Sequence, residues 1–172
     1  MPKSLEEGNI KFTILTEAPD DVDHPTITEL NAGIDAACTI LDSDFTWGAT
    51  DSDTNPEKPL CQANNSVSLG SSNFQGGITI FREFDSTDLG KPDSVTDIVF
   101  AAVKTKGTEL WCYARRTGKA ATLPWVALDE IYLGGHVITD VPQPIKGGFI
   151  KERVTLLFQE AYDHIAAAAA GS

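Results

Sequence analysis

The sequence predicts a mainly β protein, an antiparallel β-sandwich or barrel of about six to seven strands with one flanking α-helix over residues 94–106. Three observations carry that class. Apolar and polar residues alternate through several short runs, the period-2 pattern of strands with one buried face. Only residues 94–106 combine helical apolar spacing with end signals. Between the runs, Pro, Gly, Asp and Asn cluster where they break ladders and supply turn geometry. No fixed-period repeat is present.

The organising stretch is 129–158, read as two strands and a turn. Ile150, Val154, Leu156 and Phe158 fall on one parity, and Lys151, Arg153, Thr155 and Gln159 on the other. Ahead of them Ile131, Leu133 and Val137 alternate with polar residues, and Gly134-Gly135 signals a bulge or a close backbone approach. Pro142, Pro144 and Gly147-Gly148 lie between and favour a hairpin. A two-stranded hairpin is marginal in water, so this pair must join a larger sheet.

In chain order, residues 9–16 predict a first strand with Ile10, Phe12 and Ile14 on one face, and 17–25 an acidic stretch broken by Pro19 and Pro25. Residues 1–25 together are expected as an N-terminal arm. Ile34, Ala36, Cys38 and Ile40 share a parity, predicting two short strands over 26–41 bent at Gly33. Residues 42–65 read as a long loop, a length that is mostly functional or disordered inside a compact domain. It carries Phe45 and Trp47, which either fold back on the domain or await a partner surface. A short strand is expected at 66–70 and another over 78–84. Ser94 and Asp97 suggest a capping box, and Val95, Ile98, Val99, Ala102 and Val103 form the helix stripe, ended by Gly107. A strand over 108–116 places Trp111 and Tyr113 opposite Leu110 and Cys112, so both of its faces are expected to be covered. One domain over 1–165 accounts for these elements, with an Ala-rich flexible tail at 166–172.

The formal charge is −12, and it is lopsided. Up to Glu57 thirteen acids face only Lys3 and Lys11, while the remainder nearly balances. That disfavours a protein that grips nucleic acid, which needs clustered Lys and Arg, yet permits one that lets nucleic acid pass. No signal-peptide pattern or bilayer-length apolar run is present, so a cytoplasmic protein without membrane partners is expected.

Chemistry-bearing patterns fail on inspection. Asp51-Ser52-Asp53-Thr54-Asn55 opens like a calcium loop, but Pro56 stands where Gly is needed and Gln62 where a bidentate Glu is needed. The three cysteines form no C-x-x-C, and His24, His136 and His164 lie far apart, so no metal or cofactor is expected. No nucleophile elbow or phosphate loop occurs, which argues against an enzyme. Asn64-Asn65-Ser66 is a glycosylation triplet by pattern only. Arg115, Arg116 and Lys119 are the one basic cluster, either a solvated turn or a patch that meets the acidic arm of a neighbouring subunit.

The order of parts, with G-G-I-T-I-F-R-E-F, L-W-C-Y-A-R-R, E-I-Y-L-G-G-H-V-I-T-D-V-P-Q and G-G-F-I-K-E-R-V-T-L-L-F, resembles the major tail proteins of long non-contractile-tailed bacteriophages over about residues 10–160. The resemblance implies hexameric rings that stack into a tail tube and conduct DNA at ejection, assembled in the bacterial cytoplasm. Its partners would be further copies, a tape measure and a tail terminator. Candidate ring-stacking contacts are then Phe45, Trp47, Asp20, Asp21, Asp23, Arg115 and Arg116. Lys151, Arg153, Thr155 and Gln159 would form the lumen or a polar sheet face. Alternatives are another ring-forming completion or connector protein, or a carbohydrate-binding module using Trp47, Trp111, Tyr113 and Trp125 as stacking platforms.

Overall fold

A computed structural model describes residues 2–64 and 66–171. Met1, Asn65 and Ser172, the outer residues of the expected arm, loop and tail and the centre of the glycosylation triplet, lie outside the described residues. The chain forms β1 (Ile10–Leu15), α1 (Ile27–Ala32), β2 (Ile34–Asp35), β3 (Thr46–Thr50), β4 (Thr54–Asn55), β5 (Ser68–Leu69), β6 (Asn73–Phe81), α2 (Ile98–Val103), β7 (Glu109–Arg116), β8 (Glu130–Thr139), β9 (Gln143–Ile145) and β10 (Lys151–Ala166). The class is as predicted, mainly β and antiparallel with few helices.

Eight strands make one sheet in the order β2-β1-β7-β8-β10-β6-β3, with β9 paired to β10; β4 and β5 form a separate hairpin. The stretch 129–158 is the predicted strand–turn–strand, and β10 continues to Ala166. Residues 34–50 close the sheet on itself. They follow β1 first, where Ile34 and Asp35 pair with Ile14 and Thr13 and the Ala36 N–H donates to the Phe12 carbonyl at 2.9 Å. They then cross to β6, where Ile40 bridges Ile80, the Leu41 N–H donates to the Thr79 carbonyl at 2.8 Å, and β3 pairs from Thr46 onward. Two short 3₁₀ turns, at 37–39 and 42–44, span the gap.

Alternation along the strands generates two cores. One face of the curled sheet gathers Phe12, Ile14, Trp47, Ile78, Leu110, Cys112, Val137, Val154 and Leu156, covered by Val99, Phe100 and Val103 of α2. On the other face, Leu15, Tyr113 and Tyr162 pack with Leu30 of α1 and with Trp125, Ile131 and Ala167. The expectation that both faces of β7 are covered therefore holds. Gly134 and Gly135 serve this arrangement. A methyl at Gly134 would meet the Tyr113 ring at 2.5 Å, and one at Gly135 the Phe158 ring at 2.3 Å, so an aromatic lies flat on β8 at each position.

Four sequence-based expectations are corrected. The helix is 98–103, not 94–106; residues 94–97 form turns, and the Asp93 carboxylate, not Ser94, accepts the Val95 and Thr96 N–H groups at 2.8 and 2.9 Å. Asp97 is instead turned inward to Arg82, whose guanidinium lies 3.7 Å from the Phe100 ring centroid, and this leaves Val95 74% exposed. Residues 27–32 are helix rather than strand, because Thr26 at the N-cap and Glu29 form a reciprocal capping box.

The arm 1–25 is not an arm as a whole. Within it β1 is an interior strand, and the 17–25 stretch is held by buried Pro19 and Pro25 and by the Tyr113 hydroxyl, which donates to the Val22 carbonyl at 2.9 Å. The tail is anchored at least to Ala168: Ala167 is buried, and Ala168 accepts from the Ile27 N–H and donates to the Pro25 carbonyl, both at 2.9 Å.

Candidate functional site

The distinctive surfaces of the described residues are a groove, a projecting tongue and one polar sheet face. The groove follows from the way the sheet closes. Where the 3₁₀ turns replace a continuous ladder between β1 and β6, a cavity of about 380 Å³ opens, floored by Ile10, Phe12, Ile40 and Phe45 and rimmed by Glu6, Glu7 and Asp42. Cys38 lies in its wall.

The tongue is what remains of the expected 42–65 loop. Its first part is ordered into the 3₁₀ turn and β3, so the projecting segment runs from 51 to 72 instead, with β4 and β5 as a two-residue ladder near its base. Asn73 ties that base by donating to the Asp51 carbonyl at 3.1 Å and to the Asp53 carboxylate at 3.0 Å, which is where the apparent calcium loop spends those oxygens. Beyond the ladder Leu60 is fully exposed and Val67 largely so, and within the ladder Leu69 is also largely exposed.

Phe45 and Trp47 face inward. Trp47 is 6% exposed, packs against Phe12 and Phe158 at ring-centroid distances of 5.0 and 4.5 Å, and donates its indole N–H to the Leu133 carbonyl at 2.9 Å. It is a core residue, and the stacking contact expected of it is corrected on that ground. Phe45 is half-buried, packed edge-on against Phe12 while lining the groove.

Arg115 is likewise corrected. It is 0% exposed, its guanidinium donating to the carbonyls of Ala120, Leu123 and Pro124 and to the Asp129 carboxylate at 2.9–3.2 Å. Lys119 reaches the same carboxylate at 2.9 Å. Burial pushes the Asp129 carboxyl up, but Lys119, the Val126 N–H and Arg115 outweigh it and hold it below the ordinary carboxylate range. Arg116 remains exposed, paired at 3.0 Å with Glu6 of its own chain. Asp20, Asp21 and Asp23 are exposed, as an interface role requires, and are not brought together with Arg115 or Arg116 by any ion pair among the described residues.

Lys151, Arg153 and Thr155 lie half-buried on the side of β10 opposite Val154 and Leu156. Lys151 donates to the Gly147 carbonyl at 2.6 Å. Arg153 pairs with Asp44 at 2.8 Å, so its charge is locally matched. Thr79 donates to the same Asp44 carboxylate, and this hydroxyl first, then Arg153, lowers the Asp44 pKa. Gln159 sits at a register shift between Phe158 and Glu160, an exposed bulge rather than a member of the same row.

Several stretches of edge have no strand partner among the described residues. The most extended are the outer side of β3 and the β6-facing side of β10 beyond Leu156, while the outer sides of the two- and three-residue strands β2 and β9 are shorter. Sequence reasoning missed the β10 stretch, because a strand continuing past its partner leaves no mark on periodicity. The four aromatics proposed as sugar platforms do not assemble into one. Trp47, Tyr113 and Trp125 are buried, and Trp111 stacks on His136 at 4.8 Å. No helix among the described residues is long and apolar enough to cross a membrane.

No curated protein matches the chain. The model of a family described as phage tail tube protein matches residues 1–171.

Proposed function

The chain belongs to the phage tail tube protein family, and on that premise we propose that six copies close into a ring, that rings stack into the tail tube, and that DNA passes down its bore at ejection. The protein is a structural tail protein that assembles with other tail subunits. Closure into rings is supported by the unpartnered edge of β10 beyond Leu156 together with that of β3. Unpaired strand edges are a liability to a lone chain, and pairing them between copies removes the liability. Because the two edges are different surfaces, such a contact is heterologous and generates rings or filaments instead of stopping at a dimer.

The polar side of β10, with Lys151, Arg153 and Thr155, is the face assigned to the bore in this reading. Pairing of Arg153 with Asp44 supports passage over capture, since only unmatched cations condense onto a phosphate backbone. The exposed Asp20, Asp21 and Asp23, with Arg116, are assigned to contacts between copies. A tape measure inside the tube and a terminator at its end are the further partners, with assembly in the bacterial cytoplasm. No catalytic role is proposed.

Negative-stain electron microscopy of the concentrated protein tests this. Stacked rings with a six-fold projection and a pore wide enough for duplex DNA are expected. Rings that never extend would assign the chain to tail completion, and a monomer at every concentration would overturn the proposal.

A further inference from the structure

The β9–β10 hairpin ends in a tip that its own chain leaves bare. Lys146-Gly147-Gly148-Phe149-Ile150 make the turn, with both glycines in the left-handed region at φ 94° and 68°. The Lys151 ammonium donates to the Gly147 carbonyl at 2.6 Å and so fixes the loop from within. This clamp holds Phe149 outward, 81% exposed and resting edge-on against Phe81 at 6.2 Å, with Ile150 beside it 62% exposed. Lys146 is exposed and forms no ion pair among the described residues.

A surface of the opposite character lies between β1 and α1. There Leu15, Ala18, Pro19, Ala32 and Ile34 wall a cleft of about 380 Å³. Glu17 and Asp20 stand at its margin, both exposed, and neither carboxylate is in an ion pair among the described residues. Glu29, also in the lining, has its carboxylate committed to the Asp20 and Thr26 N–H groups.

We propose that the hairpin tip of one copy seats in the β1–α1 cleft of a second copy, Phe149 against the apolar wall and Lys146 opposite Glu17 and Asp20. The inference rests on the tube-subunit reading and names the element that meets its acidic stretch. These charges are unmatched within each chain, so bringing them together displaces no existing ion pair. The aromatic supplies an apolar centre and the lysine a polar rim, the division found where proteins meet. Because Lys151 sets the tip before contact, little conformational freedom is lost on docking. Tip and cleft are different surfaces, so each copy offers one of each and the contact passes from copy to copy.

The test co-assembles two full-length variants that both carry Cys38→Ser and Cys61→Ser, one with Ile150→Cys and the other with Ala18→Cys. The tubes are treated with a short bismaleimide, which joins two thiols by addition; Cys112 is buried and does not react. A cross-linked dimer is expected on a denaturing gel from the mixture and none from either variant alone. In the parent background, Phe149→Asp should leave the melting temperature of the dissociated subunit within about 2 °C, since the ring is mostly in solvent. The same change should raise the concentration needed for tubes at least about tenfold. Lys146→Glu should raise it about threefold, and adding Glu17→Lys with Asp20→Lys should reverse that rise. A dimer from Ile150→Cys alone would mean that tips meet each other, and that result overturns the proposal. Tubes whose mixture yields no dimer, or Phe149→Asp assembling like the parent, overturn it while leaving the tube reading intact. A chain that never assembles sinks both.

Discussion

Trp47 shows how far single residues could be read in advance. Its position between loop-forming residues suggested a ring waiting for a partner, but the indole fills space between Phe12 and Phe158 and its N–H is committed to Leu133. Sequence spacing does not reveal this, because β3 pairs with Gly76-Gly77, two residues without side chains that leave room for the ring. Trp47→Ala should destabilise the subunit by about 3–5 kcal/mol, as for other buried aromatics, read as a shift in urea midpoint. Arg115 misled in the same way. A basic cluster at a strand end resembles a solvated turn, yet this guanidinium holds three carbonyls of the 120–124 loop from inside. Its partner Asp129 carries a pH signature. A carboxyl held below its unfolded value stabilises the fold at pH above about 4, and that contribution fades as pH falls through the lower, folded value. Asp129→Asn should therefore cost about 3–5 kcal/mol at neutral pH, with the gap to the parent narrowing in urea titrations run below about pH 4.

At the level of elements, the strands and α2 were legible, α2 with ends set too wide, and α1 was not. β1, β7, β8 and β10 each run for six or more residues, which is enough for apolar alternation to stand out in the sequence. Both helices are six residues long, less than two turns; α2 still shows its stripe in Ile98, Val99, Ala102 and Val103, whereas α1 builds none. For α1 the signal was present in another form: Thr26-x-x-Glu29 is a capping box in sequence as in structure, overlooked because the apolar residues after Gly33 alternate. Thr26→Ala should lower stability by about 1 kcal/mol, measurable by thermal unfolding. At α2 the N-cap is Asp97, whose carboxylate is taken by Arg82 and caps nothing, while Asp93 caps the turns ahead of the helix. Gly135→Ala drives a methyl into the Phe158 ring at 2.3 Å, and should cost at least about 1–3 kcal/mol as overpacking does. Gly48→Ala, with nothing within 4 Å of the added carbon, is the matched control expected to be nearly silent in the same denaturation assay.

At the level of the molecule, the fold class and the tail-tube family were visible in the order of parts, while the groove and the free strand edges were not. The groove exists because residues 34–50 leave one sheet neighbour for another, and the free half of β10 exists because β6 stops short of it. Both are relations between segments far apart in sequence. Deleting the tongue tip, residues 57–63, should leave circular dichroism unchanged and prevent tubes in micrographs, because those residues carry no part of either core. The two glycines of β8 have another consequence. Tyr113 leans on this strand from one side and Phe158 from the other, so the two apolar clusters share a single thickness of backbone. Neither can loosen without withdrawing the wall that supports its neighbour. A calorimetric scan of the dissociated subunit should accordingly show one endotherm whose van't Hoff and calorimetric enthalpies coincide, not two.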